Sequence, residues 1–186
     1  MKNILRYVKG TVHYGLIYKK GGNGKLIGYS DSSHGMDRND GKGTTGTVFY
    51  LSGNPITWCS QKQRTVALSS CESEFMAATS AACQALWLRG LLKELTGWEV
   101  RSIKLLVDNK SAIELMKNPV FHGRSKHIDT RFHFIRECVE KELIHVEHIS
   151  GEEQKADILT KALPRVKFIE MRFLLGVEDL KDTSQS

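Results

Sequence analysis

At 186 residues the chain is long enough for one domain with a full hydrophobic core plus short arms, and too short for two large domains. Its formal charge of +6 suits a polyanionic partner, although a merely solubilising basic surface gives the same balance. Cys59, Cys71, Cys83 and Cys138 are widely spaced with no Cys-x-x-Cys pair, and no apolar run approaches the roughly 20 residues of a membrane-spanning helix. A disulfide framework, a zinc knuckle and a membrane span are therefore excluded. The cysteines read as buried thiols of a soluble nuclear or cytoplasmic protein that is not secreted.

In chain order, Ile4, Leu5 and Val8 have helical spacing and Gly10 ends that helix before an extended stretch over 14–18. The glycine-rich, charged segment 19–24 predicts a linker, so residues 1–24 form an arm and the main domain covers 25–177. Period-two alternation puts Ile27, Tyr29 and Asp31 on one face of a strand, with Asp31 at its end. The runs 44–51 and 55–59 flank a hairpin signal, Ser52-Gly-Asn-Pro55, giving three consecutive antiparallel strands. Ser69 or Ser70 caps a long helix that runs to Gly97. A strand over 102–107 passes at once into a helix from Asp108, an α/β signature. A helix over 125–141, a strand over 143–149 and a last helix over 157–163, ended by Pro164, complete the domain. Residues 178–186 are polar and predicted disordered. The order implies a mixed sheet with helices on both faces.

Four carboxylates stand where these elements begin or end: Asp31, Glu74, Asp108 and Asp157. Like charges that converge raise one another's pKa unless something offsets them, and hard divalent cations with oxygen ligands do so. The constellation therefore points to a metal site for phosphoryl chemistry. On the helical wheel, at about 100° per residue, Glu74 lies roughly 40° from the core position Ala78 and Glu72 roughly 120° away, which turns Glu74 inward and Glu72 toward solvent. Taken singly, each acid also has a plain structural role as a turn or cap residue.

The chain resembles ribonuclease H domains, most closely those ending the Pol polyproteins of copia-type retrotransposons. The resemblance rests on Tyr29-Ser-Asp31, Ala67-Leu-Ser-Ser-Cys-Glu-Ser-Glu-Phe-Met-Ala77, Val107-Asp-Asn-Lys-Ser-Ala112, Lys117-Asn-Pro-Val-Phe-His122, Ser125-Lys-His-Ile-Asp129 and Ala156-Asp-Ile-Leu-Thr-Lys161, in family order. The arm Ile4-Leu-Arg-Tyr-Val-Lys-Gly-Thr11 looks like the family's connection between polymerase and nuclease, so the chain resembles a C-terminal fragment of a Pol polyprotein. This implies a ribonuclease H-like α/β fold with a mixed five-stranded sheet and cleavage of RNA in RNA–DNA hybrids during reverse transcription. The implied cofactor is a pair of magnesium ions, replaceable by manganese, held by Asp31, Glu74, Asp108 and Asp157, with Asp31 between the two. The implied partners are the RNA–DNA hybrid and the rest of the polyprotein.

Two departures accompany the resemblance. Cellular relatives carry an asparagine pair before the catalytic glutamate where this chain has Ser70-Cys71, so the Ser70 hydroxyl is left to meet a ribose. They also carry a histidine on a mobile loop before the last aspartate, and residues 150–156 contain none. His148, in the preceding strand, is expected to act mainly on stability. Lys62, Arg64, Arg124, Lys126 and Arg131 are candidates for a phosphate track, against the plain alternative of a solvated basic face. The rivals are a transposase or integrase core, which shares the fold but pairs two aspartates with a later glutamate, and a non-catalytic nucleic-acid-binding remnant of a truncated polyprotein.

Overall fold

The computed structural model describes residues 2–35, 37, 39–117 and 126–181. The chain opens with α1 (Lys2–Gly10) and β1 (Tyr14–Leu16), followed by β2 (Leu26–Ser33), β3 (Thr44–Leu51) and β4 (Asn54–Lys62). The last three pair antiparallel in sequence order. The β3–β4 connection has Ser52 at φ 53° and Gly53 at φ 82°, the two positive values that a two-residue hairpin turn matched to strand twist requires. β5 (Ile103–Val107) then adds to β2 in parallel and β6 (Ile144–His148) adds to β5 in parallel, which makes a mixed sheet of order β4-β3-β2-β5-β6.

Between β4 and β5 runs α2 (Ser70–Thr96), capped at both ends. Ser69 Oγ accepts the Glu72 N–H at 3.1 Å while Glu72 Oε2 accepts the Leu68 N–H at 2.8 Å, and Gly97 closes the helix in the left-handed region at φ 70°. Its buried stripe Phe75, Ala78, Ala82, Ala85 and Leu88 packs on Phe49, Leu105 and Val107 of the sheet. Small alanines bring the helix close, and Gly28 makes room in the same layer, since a Cβ there would stand 2.5 Å from the Phe49 ring. α3 (Lys110–Lys117) and α4 (Lys126–Glu140) finish this core with Met116, Phe132 and Ile135.

The opposite face of the sheet presents Val48 and Tyr50 against Ala156, Leu159 and Leu175. Leu159 lies in a single 3-10 turn, Asp157–Leu159, which Ala156 caps, and Leu175 caps the end of α5 (Arg165–Leu174), whose Leu174 carbonyl accepts the Tyr50 hydroxyl at 3.4 Å. Helices thus lie on both faces, as the sequence predicts.

Three expectations change. The helix expected over 157–163 is only the 3-10 turn, and Pro164 caps α5 instead of ending a helix; its fixed φ and missing N–H cost nothing at a helix start. The tail expected to be disordered from 178 supplies β7 (Val177–Asp179), which pairs with β1, Tyr14 facing Asp179 and Leu16 facing Val177. The arm is also tied down by Tyr7 edge-on to Phe168 and by reciprocal Lys19–Asn54 hydrogen bonds of 2.8 and 3.0 Å. Finally, of the four cysteines only Cys138 is buried, although all four are free thiols. Among the described residues no helix is long and apolar enough to cross a membrane.

Candidate metal centre

Sheet register brings two of the aspartates together. The parallel β2–β5 ladder ends with Ser30 beside Val107, so the next residues, Asp31 and Asp108, emerge side by side at the centre of the sheet. The helix expected from Asp108 starts at Lys110, and it is Asn109 whose side chain accepts the Ala112 N–H at 3.0 Å; the Asp108 carboxylate is thereby spared from capping. Glu74 arrives from the first turns of α2. The helix start is anchored to the sheet by Gln63, which donates to Thr45 Oγ1 and to the Ser73 carbonyl while accepting the Ser73 hydroxyl. Carboxylate oxygens of Asp31, Glu74 and Asp108 all lie within 4.8 Å of one another.

Glu74 Oε1 accepts both the backbone N–H and the hydroxyl of Ser32 at 2.9 Å. Its other oxygen, Oε2, is buried with no hydrogen-bond partner. Burial, then the charges of Asp31 and Asp108, push the Glu74 carboxyl up to about 9. Burial likewise pushes Asp31 up to about 7, against the lowering effect of the Thr160 hydroxyl and with the help of Asp108 and Asp157. Asp108 is raised too, by burial first. A buried carboxylate oxygen without a donor among the described residues, in a set of groups that are all hard oxygens, fits a hard divalent cation and not a soft thiolate-loving metal.

Asp157 stands outside that 4.8 Å group, although its charge acts on both Asp31 and Asp108. Its turn is fastened to the sheet by residues that sequence reasoning does not assign. Gln154, fully buried, donates to the Ser30 carbonyl at 2.9 Å and accepts the Ala156 N–H at 3.3 Å. Thr160 donates its hydroxyl to Asp31 Oδ2 at 2.5 Å and also lies 3.0 Å from the Asp157 carbonyl. Lys161 forms an ion pair with Asp157 one helical turn earlier. The signal for the last two is their spacing of three and four residues after Asp157, inside a motif of which only the aspartate is used above.

The nucleic-acid candidates are scattered in their settings. Ser70 is exposed at the first position of α2, and Arg64 is exposed before it. Lys62 lies 2.5 Å from Asp37 and 2.9 Å from Asp40, so its charge is locally answered and its pKa raised by those partners. Lys62, Arg64 and Arg131 line a 320 Å³ cavity with Thr47, Thr57 and Gln84, where the β3–β4 edge meets α2. Arg124 and the Lys126 side chain lie outside the described residues. His148 is exposed at the end of β6, beside Val107 in register, and is among the groups that act on Asp108; an exposed side chain contributes little to stability, contrary to the expectation for it.

No family model matches the chain. Curated relatives that match 95% of it include the Retrovirus-related Pol polyprotein from transposon TNT 1-94 of Nicotiana tabacum, 42% identical over 178 residues, and that from transposon RE1 of Arabidopsis thaliana, 40% identical over 177. The chain spans only 13% and 12% of their lengths. Among solved structures, LC11-RNase H1 from a compost metagenome superposes with a TM-score of 0.54 at 18% identity, covering 74% of this chain and 94% of that one. At that identity the likeness speaks for the fold alone. The same enzyme has also been solved with an RNA/DNA hybrid, with a TM-score of 0.52. In sequence the chain is thus similar over nearly its whole length to a segment of retrotransposon Pol polyproteins, and its fold is ribonuclease H-like.

Proposed function

We propose that the protein hydrolyses the RNA strand of RNA–DNA hybrids with divalent metal ions, the step that removes template RNA in reverse transcription of a retrotransposon. The observation that carries this reading is the convergence of Asp31, Glu74 and Asp108 within 4.8 Å, together with a buried Glu74 oxygen that has no partner among the described residues. The complex of LC11-RNase H1 with an RNA/DNA hybrid supports the substrate class by analogy of fold.

In this reading Asp31, Glu74, Asp108 and Asp157 would hold two magnesium ions, or manganese in their place, which would supply an activated water and charge neutralisation at the leaving oxygen. The protein's own part is positioning. Ser32 fixes one Glu74 oxygen and leaves the other free, and the Thr160 hydroxyl orients Asp31. Ser70, exposed at the start of α2, offers a hydroxyl to a ribose 2′-OH, which separates RNA from DNA. Arg64, Lys62, Arg124 and Lys126 supply a phosphate track, with Arg64 the freer of the first two.

The test is a gel assay with end-labelled hybrid, RNA duplex and DNA duplex. Cleavage confined to the RNA strand of the hybrid, requiring magnesium or manganese and lost with chelator or with Asp31→Asn, is the expected result. Cutting that survives Asp31→Asn defeats the metal reading. A hybrid that is retained but never cut in either metal favours the binding remnant.

A further inference from the structure

The arrangement of the fourth acid differs from that of the other three. Asp31, Glu74 and Asp108 already converge, whereas Asp157 stands outside their group and is ion-paired with the Lys161 ammonium. This is not an ordinary surface pair, because the Asp157 side chain is only 8% exposed while Lys161 is 40% exposed. Lys161 is also placed to act beyond its partner: Asp31 and Asp108 both lie within its electrostatic reach. Its position is set by Thr160, whose hydroxyl joins Asp31 to the turn that carries Asp157, so the ammonium is delivered to the rim of the carboxylate cluster by the same segment that delivers the fourth acid.

We propose that Lys161 is a tethered cation that holds Asp157 and offsets the carboxylates until a second divalent ion displaces it. Loading at the Asp157 end of the site is then an exchange of ammonium for metal, whereas loading at the Asp31, Glu74 and Asp108 end is a simple addition. An ammonium suits such an exchange, being a compact, strongly hydrated charge on a flexible four-carbon stem, able to return to water when a divalent ion takes its place. The inference rests on the metal site proposed above and makes Lys161 a positioning residue, acting through Asp157. It orders the two ions in affinity, the second being the weaker because a pre-formed ion pair must break first.

The test uses the full chain without nucleic acid, so it is independent of whether RNA is cut. Calorimetric titration with manganese and thermal unfolding in chelator are compared for the wild type, Lys161→Met, Lys161→Arg and Asp157→Asn. In Lys161→Met the metal-free melting temperature falls and the second ion binds about tenfold tighter, equivalent to about 1.4 kcal/mol, with a smaller change at the first ion. Lys161→Arg restores both values toward wild type, and Asp157→Asn abolishes the second ion. A second-site affinity in Lys161→Met equal to or weaker than wild type overturns the exchange while leaving the metal site intact. Failure of the wild type to bind any divalent ion overturns both. Should Lys161→Met not fold, nitrogen-15-labelled lysine in the wild type reads the same event during a magnesium titration. The Lys161 ammonium signal, protected without metal, must lose protection at the second equivalent, and protection that persists to saturation overturns the exchange.

Discussion

Gly46 faces Asp31 directly across the β2–β3 ladder, and the space left by its missing side chain is occupied by the turn that carries Asp157. A Cβ at Gly46 would stand 2.6 Å from Thr160 Cγ2, 2.8 Å from the Ala156 carbonyl oxygen and 3.0 Å from Leu159 Cβ. Two of these atoms belong to the backbone or lie next to it, so no side-chain rotation relieves the overlap. Gly46→Ala is therefore expected to push the 3-10 turn off the sheet, at a cost of about 1–3 kcal/mol in denaturant unfolding. It should also separate Thr160 from Asp31 and reduce hybrid cleavage. Thr160→Val keeps the volume and removes only the hydroxyl, so it should lower cleavage with a smaller loss of stability. Unchanged stability in Gly46→Ala would show that the turn is not seated as described.

Glu72 and Glu74 are two residues apart and have different roles. Glu74 enters the carboxylate cluster with Asp31 and Asp108, while Glu72 accepts the Leu68 N–H ahead of the α2 cap. Glu74→Gln, Asp31→Asn and Asp108→Asn should each abolish cleavage. Glu72→Gln should retain it, because an amide oxygen can still accept that bond, and Glu72→Ala should cost stability by about 1 kcal/mol, as for loss of a helix cap. Equal loss of activity in Glu72→Gln and Glu74→Gln is the result that defeats this division.

The pH dependence without metal follows from the raised carboxyls. Their folded-state pKa values lie above the unfolded values of about 4, so in that interval the folded protein holds protons that the unfolded chain has released. Stability is greatest at the acid end and falls as pH rises toward about 7, through Asp31, and about 9, through Glu74. Metal binding needs the ionised forms, so the gain from magnesium should grow over the same window. Thermal unfolding in chelator and in magnesium, at about pH 5 and about pH 8, reads both slopes. A metal-free protein that becomes more stable toward pH 8 contradicts the assignment.

Much of the fold and of the carboxylate cluster is legible in the sequence because the informative residues sit at ends of regular elements. Alternation marks β2 and the strand-to-helix step marks Asp108, while the wheel separates Glu74 from Glu72. The C-terminal third is less legible. Pro164 reads equally well as the end of one helix or the start of the next, and in the structure it starts α5. Thr160 and Lys161 look like ordinary helix positions until Asp31 is brought beside them across the sheet. The β1–β7 pair joins opposite ends of the chain through three-residue strands, too short for any periodicity to announce.

The basic candidates are separable by salt. Each phosphate contact contributes about −0.9 to the log–log slope of affinity against salt. Arg64→Ala should flatten that slope by about one contact. Lys62→Ala should flatten it less, since Asp37 and Asp40 already engage its ammonium, and the double replacement should show a flattening dominated by Arg64. Fluorescence anisotropy with a labelled hybrid over a salt series measures this, and an unchanged slope in the double variant places the track elsewhere.

His148 stands at the edge of the site. It follows the buried Ile144 and Val146 in alternation, yet is exposed at the last position of β6, paired with Val107 and so next to Asp108. Exposure means that His148→Ala should alter stability by no more than about 0.5 kcal/mol. Its backbone is fixed in the parallel ladder, and the following Ile149 N–H donates to the Val107 carbonyl at 3.0 Å, so the ring lacks the travel of a residue on a free loop. Single-turnover cleavage should accordingly fall by well under the roughly 10²–10⁴-fold that losing a general acid or base costs. If His148→Ala folds normally but loses that full factor, together with a limb of the pH–rate profile near the ordinary histidine range, then the imidazole carries protons for the reaction and its position beside Asp108 is catalytic.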